Sequence, residues 1–248
     1  GIYANNLDGL LIEGNVIVRN GGLLGYTNDP DTKVPAGLTK KDVAVNWYNH
    51  QAYIQSGNTN VTVRNNIFAS GDGVQLRPGG VARDNLFYRT IVSLTVGSAT
   101  TPVAGGVTAS LIDNVFVEGT DFAPECSTPG MRAHGIQLAN INKAKGALVK
   151  GNLFLDDISA GHYGTMIGAN GSNCGSGNKY TCTVFNVRIE GNTAHQWRGG
   201  IKLSSTIKTQ IGGITVKGNV LHNPADTKAK LVSLGCGWDA TQLSFSGN

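Results

Sequence analysis

The sequence lacks the features of several protein classes. Charged residues make up only 15% of the chain, which is too few for a chain that stays unfolded. No apolar run approaches the length of a membrane span, so we expect no membrane-spanning helix. No dense Lys or Arg run occurs, so we expect no nucleic-acid partner, although the net charge of +4 suits an acidic partner. No segment combines a long 3.6-residue period with helix caps, which argues against a helical fold.

A short sequence motif recurs eight times along the 248 residues. It consists of an apolar stretch, a small or turn-forming residue, Asn and then usually two apolar residues. A motif repeated at intervals of about 20 to 50 residues is typical of a stacked-repeat architecture. The repeated asparagines are Asn15, Asn66, Asn85, Asn114, Asn152, Asn192, Asn219 and Asn248.

Each repeated Asn follows a residue that tolerates a left-handed backbone. This residue is Gly in five copies, Asp in two and Asn in one, which predicts a sharp bend with a positive φ. Before the bend, apolar and polar residues alternate, as in Val61/Val63 and Val187/Ile189, which predicts a strand with one buried face. We therefore expect each coil to contain a strand, a turn, a second strand, the Asn bend and a third strand.

Two sets of inward residues follow from this repeat. Phe occupies the position two residues after the Asn in four successive copies, which predicts an internal aromatic stack of Phe68, Phe87, Phe116 and Phe154. A second strand motif precedes most bends, and residues such as Ser93 and Met166 are expected on its outward face. Its inward residues are predicted to be Ala4, Ile54, Leu76, Leu94, Leu138, Ile167, Leu203 and Leu234.

This pattern resembles the right-handed parallel β-helix of the pectate-lyase-like superfamily over nearly the whole chain. We therefore predict an all-β solenoid of about eight coils, with residues 1–248 as one domain. Solenoids need polar caps over their end strands, and neither end of this sequence shows one. We expect the domain to be a portion of a longer polypeptide, or its ends to stack on neighbours.

The four cysteines point to disulfides. Cys174 and Cys182 flank a Gly/Asn-rich loop, which favours a bond between them and leaves Cys126 with Cys236, although the sequence alone allows three pairings. Zinc binding is the alternative, but the spacing lacks a C-x-x-C pair. Disulfides imply a secreted protein in an extracellular or periplasmic setting.

The outward face of the second strand motif is predicted to form a long polar groove. Tyr, Gln, Arg and His suit a sugar polymer, since they stack on rings, form paired hydrogen bonds and bind carboxylates. His195 and His222 occupy equivalent positions on another strand and are interpreted as structural. The expected substrate-binding residues are Tyr53, Gln55, Asp72, Gln75, Gln137, Tyr163 and Lys202.

A similarity to alginate lyases and chondroitinase B implies β-elimination on a uronate-containing polysaccharide. In that reaction a cation neutralises the uronate carboxylate, a base removes the C5 proton and an acid protonates the leaving O4. We expect Arg77 to be the cation, and His50 and His134 to be the base and acid, with no cofactor. The alternative for Arg77 is a surface ion pair with Asp72 or Asp84.

Other functions remain open from the sequence. SGDG, AHG and RGGIK occur in the order of polygalacturonase motifs, but the paired aspartates of those hydrolases are missing, and inverting hydrolysis needs two carboxyl groups about 6.5–9.5 Å apart. Calcium is unsupported, because a calcium-dependent lyase needs several acidic ligands. A glycan-binding module or a non-catalytic scaffold (adhesin, tailspike stem or filament subunit) is the alternative to an enzyme, and open strand edges favour end-to-end self-association.

Overall fold

The computed structural model describes residues 1–20, 36–37, 50–97, 101–120, 134–157, 165–174, 180–205, 210–235 and 243–248. Within these residues the chain forms 26 short strands, numbered β1 to β26 in chain order, and no α-helix. No helix in this part of the chain is long and apolar enough to cross a membrane.

Three parallel sheets form the sides of a rod. The first contains β1 (Ile2–Ala4), β4 (Ala52–Ile54), β7 (Val74–Leu76), β10 (Val92–Val96), β13 (His134–Leu138), β16 (Thr165–Cys174), β21 (Ile201–Ser205) and β25 (Val232–Leu234). The second contains β2 (Leu11–Glu13), β5 (Thr62–Arg64), β8 (Gly80–Arg83), β11 (Ala109–Ile112), β14 (Ala147–Lys150), β19 (Val187–Glu190), β23 (Ile214–Lys217) and β26 (Leu243–Ser246). The third contains β3 (Val16–Val18), β6 (Ile67–Gly71), β9 (Leu86–Thr90), β12 (Val115–Val117), β15 (Leu153–Leu155), β20 (Thr193–His195) and β24 (Val220–His222).

The chain visits the three sheets in turn, and each strand pairs with its counterpart in the next coil. The protein is therefore a right-handed parallel β-helix of eight coils, which confirms the predicted fold. Three short strands lie outside the repeat. β17 (Tyr180–Cys182) pairs antiparallel with the end of β16, and β18 (Val184–Phe185) pairs with β22 (Ile211–Gly212).

A ladder of asparagine side chains joins the coils at the corner between the second and third sheets. From Asn15 to Asn219, each Asn Nδ2 donates a hydrogen bond to the Oδ1 of the repeated Asn in the next coil, at 2.8–3.1 Å. The same Nδ2 bonds to corner carbonyls, as at Asn114, which reaches the oxygens of Ala82 at 3.0 Å and Ile112 at 3.2 Å. Because the central asparagines are buried, the ladder supplies the partners that water cannot.

The backbone bends as predicted before every asparagine of the ladder. The preceding residue has a φ between 54° at Asp113 and 70° at Gly14 in all eight copies. Only Gly, Asn and Asp adopt this left-handed conformation at low cost, so the sequence choice at this position fixes the corner.

The four predicted phenylalanines form a fully buried stack. Successive ring centroids lie 5.2, 4.9 and 4.6 Å apart, with the last two pairs within 6° of parallel. In the next coil Ala194 fills the same position, and Trp197 covers the end of the stack. Its ring meets Phe154 edge-on, with centroids 5.5 Å apart and planes at 72°. The repeat does not predict this contact, because Trp197 lies outside the repeated position.

The predicted register of the first sheet is wrong by two residues in two coils. Val96, not Leu94, pairs with Leu76, and Ala169, not Ile167, pairs with Leu138. A two-residue shift returns each side chain to the same face of a strand. Leu94 and Ile167 are therefore still fully buried.

Ser93 and Met166 were predicted to face outward but are buried. They occupy positions where the chain enters the first sheet at a corner of the rod. A Cβ atom on Gly135, at the same point of its coil, would lie 2.3 Å from Phe154 Cε1. This corner therefore faces the core, and Met166 is part of the core cluster. Leu234, predicted inward, is 44% exposed in the last strand of its sheet.

The ladder gives a direct test of its role in stability. In Asn114→Asp, a buried carboxylate would replace a donor that faces three oxygens, and we expect a loss of about 3–5 kcal/mol in the free energy of unfolding. Asn248→Asp is the matched control: its Nδ2 faces only the oxygens of Val216 and Ser246, and the residue is exposed, so water solvates the new carboxylate. Its cost is expected below about 1 kcal/mol. Urea denaturation followed by circular dichroism measures both, and equal costs would contradict the role of the ladder.

Candidate functional site

The outward face of the first sheet carries one continuous row of side chains. The strand register aligns Tyr3, Tyr53, Gln75, Thr95, Gln137, Gly168, Lys202 and Ser233. Adjacent coils are about 4.8 Å apart, so the row is a straight track along the rod. Gln75 Nε2 donates to Thr95 Oγ1 at 3.3 Å within it.

This face differs in charge from the second sheet. The described strands of the first sheet contain no Asp or Glu, and they contain Lys202, while Arg77 follows β7 directly. The second sheet has mixed charges, such as the pair between Arg64 Nε and Glu13 Oε1 at 2.8 Å, and this guanidinium lowers the pKa of Glu13. The first sheet therefore presents the surface better suited to a negatively charged polymer.

A buried histidine–aspartate pair lies at one edge of this face. His50 precedes β4, Asp72 lies in the turn between β6 and β7, and His50 Nδ1 is 2.7 Å from Asp72 Oδ2. Their side chains are only 11% and 4% exposed. The contact is a close approach and not an aligned hydrogen bond, since Nδ1 has no hydrogen-bond partner among the described residues. The adjacent carboxylate favours a proton on Nδ1, which leaves Nε2 as an acceptor. The pair can therefore act as a base.

Tyr53 connects this pair to the open face. Its ring stacks on His50, with centroids 4.9 Å apart and planes 4° from parallel. On the side of the first coil it stacks on Tyr3, at 5.8 Å and 24°. A cavity of about 450 Å³, lined in part by Tyr3, Asn20 and these two rings, lies beside them and has the size of a small-ligand pocket.

Arg77 also lies against the ring of Tyr53. Its Cζ is 4.5 Å from the ring centroid, and Nη1 donates to Thr101 Oγ1 at 3.0 Å and to Gln55 Oε1 at 3.4 Å. Its Nε is buried and has no hydrogen-bond partner among the described residues. Arg77 thus pairs with neutral oxygens and with no described carboxylate.

The alternative ion pairs considered for Arg77 do not form in the described residues. Asp72 lies against His50, and Asp84 Oδ2 is 2.6 Å from Arg83 Nη1. Both candidate carboxylates are therefore used by other partners.

The predicted catalytic residues do not form one cluster. His134, at the start of β13, has its Nδ1 2.7 Å from Thr165 Oγ1. It lies three coils from His50, or about 14 Å along the rod. Lys202 lies four coils from Arg77, or about 19 Å. The structure instead brings His50, Asp72, Tyr53, Gln55 and Arg77 together, with Gln75 and Gln137 further along the track.

Several predicted residues fall outside the described part of the chain. These are Tyr163, Cys126, Cys236 and the side chain of Cys174. Cys182 is fully buried and disulfide-bonded. The pairing of the four cysteines stays a prediction.

Two residues of the cluster were missed by the sequence analysis. Tyr3 occupies the same position as Tyr53 in its strand, so aligning the two strand motifs would have identified it. Thr101 lies outside the repeat, and no sequence signal indicates its contact with Arg77. Within the described residues, no three His, Cys, Asp or Glu side chains are close enough together to hold a metal ion.

A scan against protein-family models and searches of curated proteins and solved structures found no match to this chain.

The turn that holds Asp72 offers a test of how the site is positioned. Gly73 has a φ of 58°, and a Cβ there would lie 2.2 Å from Ser93 O and 2.3 Å from Val92 O. Gly73→Ala adds this clash to the left-handed strain of about 1–2 kcal/mol. Gly191→Ala is the control, because its φ is 60° and nothing lies within 4 Å of its Cβ. We expect urea denaturation to show a clearly larger loss for Gly73→Ala; equal losses would mean that the turn adapts freely.

Proposed function

We propose that the protein is a secreted polysaccharide lyase that cleaves a uronate-containing glycan by β-elimination at the Tyr53 cluster. The observation that carries this proposal is that the His50–Asp72 pair and Arg77 both contact the ring of Tyr53. It joins a candidate base to a cation that pairs with no described carboxylate. The resemblance to the pectate-lyase-like superfamily, where the same fold carries such reactions, supports the substrate class.

The surface of the first sheet supports an acidic polymer as the substrate. A glycan chain is long and narrow, as is the straight track of the first sheet. Tyr3, which is 66% exposed, offers a flat ring against which a sugar ring packs. The lack of Asp and Glu in the described strands of this sheet removes repulsion against uronate groups.

The proposed reaction gives each residue of the cluster one step. Arg77 binds the uronate carboxylate and neutralises it, which lowers the barrier to removing the C5 proton. His50, oriented by Asp72 through Nδ1, accepts that proton at Nε2. The C5–H electrons form the C4–C5 double bond, and the C4–O4 bond breaks. His50 then returns the proton to O4, because His134 is three coils away and serves glycan binding further along.

Elimination fits the site better than hydrolysis. An inverting glycosidase needs two carboxyl groups, one as acid and one as base. Asp72 is the one carboxylate in the described cluster, and it is bound to His50. Elimination needs no second carboxylate and no bound metal.

Activity on defined substrates tests the proposal. We expect alginate, pectate or a glycosaminoglycan to give an unsaturated product, detected by its ultraviolet absorbance. His50→Gln should lower kcat by about 10²–10⁴-fold, the range for loss of an acid–base catalyst, and Asp72→Asn should lower it less. His195→Gln, on another sheet, is the control and should keep full activity. Binding without product on all three substrates would identify a glycan-binding module instead.

The role of Arg77 has its own test. Arg77→Lys keeps the charge but loses the planar two-point contact with a carboxylate, so we expect a partial loss of kcat/KM, and Arg77→Gln should lose about 100-fold or more. Arg64→Gln removes the same charge from the second sheet. Equal losses in Arg77→Gln and Arg64→Gln would show that only net charge matters and would refute a specific contact.

A further inference from the structure

Two histidines on the third sheet form a close pair far from the proposed active site. His195 in β20 and His222 in β24 are register partners in adjacent coils. Their Nδ1 atoms are 2.8 Å apart, and the rings lie 5.0 Å apart between centroids, 16° from parallel. The proposed lyase mechanism gives this histidine pair no role.

The arrangement imposes a constraint on protons. An imidazole nitrogen either donates or accepts a hydrogen bond, so two Nδ1 atoms in contact can hold one proton between them. If both carried a proton, two donors would face each other. A cation that accepts both lone pairs satisfies the two nitrogens at once.

We propose that His195 and His222 form a two-nitrogen site for a divalent transition-metal ion, with Cu²⁺ as the preferred ion and water as the remaining ligands. Imidazole suits copper, nickel and zinc, and Cu²⁺ binds most tightly in the divalent series. Two nitrogens bonded at about 2.0–2.1 Å to one ion lie about 2.9–3.4 Å apart for angles between 90° and 109°. The 2.8 Å separation is close to this range.

The surroundings support a cation at this position. His195 is half-buried and His222 is exposed. Both imidazole rings can therefore rotate slightly, and water can reach the ion to complete its coordination. Asp156 lies in the adjoining coil, where its backbone N–H donates to the His195 carbonyl at 3.0 Å. The parallel register holds the two histidines in place before the ion arrives, which lowers the cost of binding.

Copper titration of the intact, oxidised protein tests the site. We expect calorimetry to show one Cu²⁺ per chain, and electron paramagnetic resonance to show two nitrogen ligands. His195→Gln and His222→Gln should each weaken binding by about 100-fold, since a two-point attachment is lost. Copper should also raise the Tm of the parent protein but not of either variant, because the ion joins two adjacent coils.

A matched control separates this site from general histidine binding. His134→Gln removes a histidine of the first sheet and should leave the affinity and the spectrum unchanged. Circular dichroism confirms that each variant is folded. Failure to bind one equivalent, or an equal loss in His134→Gln, would overturn the proposal without affecting the proposed lyase activity.

Discussion

The asparagine ladder is the interaction on which the rest of the structure depends. A parallel sheet fixes only the spacing of its strands, and a slip by two residues would preserve every buried face. The ladder prevents such a slip at one corner. Each Asn side-chain oxygen accepts hydrogen bonds from both the Nδ2 and the backbone N–H of the Asn in the preceding coil. Once this corner is aligned, the phenylalanine stack and the second and third sheets follow in register. The first sheet lies away from this corner, and its strands differ most in length, from three residues in β1 to ten in β16.

The position of the proposed site follows from which residues a solenoid can bring into contact. Neighbouring coils bring side chains into contact, as with His50 and Asp72, and with Arg77 and Tyr53. Residues several coils apart cannot meet, however similar their positions in the repeat, because the rod does not fold back. A reaction on this fold must therefore be completed by two or three adjacent coils, while the remainder of the track binds the polymer.

The fold could be predicted from the sequence because the corner residues must adopt a positive φ. Gly, Asn or Asp before each repeated Asn predicts the bends, and the Phe positions predict the stack. The register of Leu94 and Ile167 could not be obtained, because a two-residue shift leaves the alternation unchanged. The pairing of His50 with Asp72 could not be predicted from the sequence either, since it depends on the conformation of the turn at Gly73. Arg77 was identified as a cation, but its position over Tyr53 needed coordinates.

The direction of the asparagine bonds has a physical consequence for the whole rod. Every carboxamide donates toward the same end, so their dipoles add instead of cancelling. One direction along this corner therefore presents carboxamide oxygen, and the opposite direction presents N–H. Two such columns can continue each other only head to tail, because a meeting of like ends would set acceptor against acceptor or donor against donor.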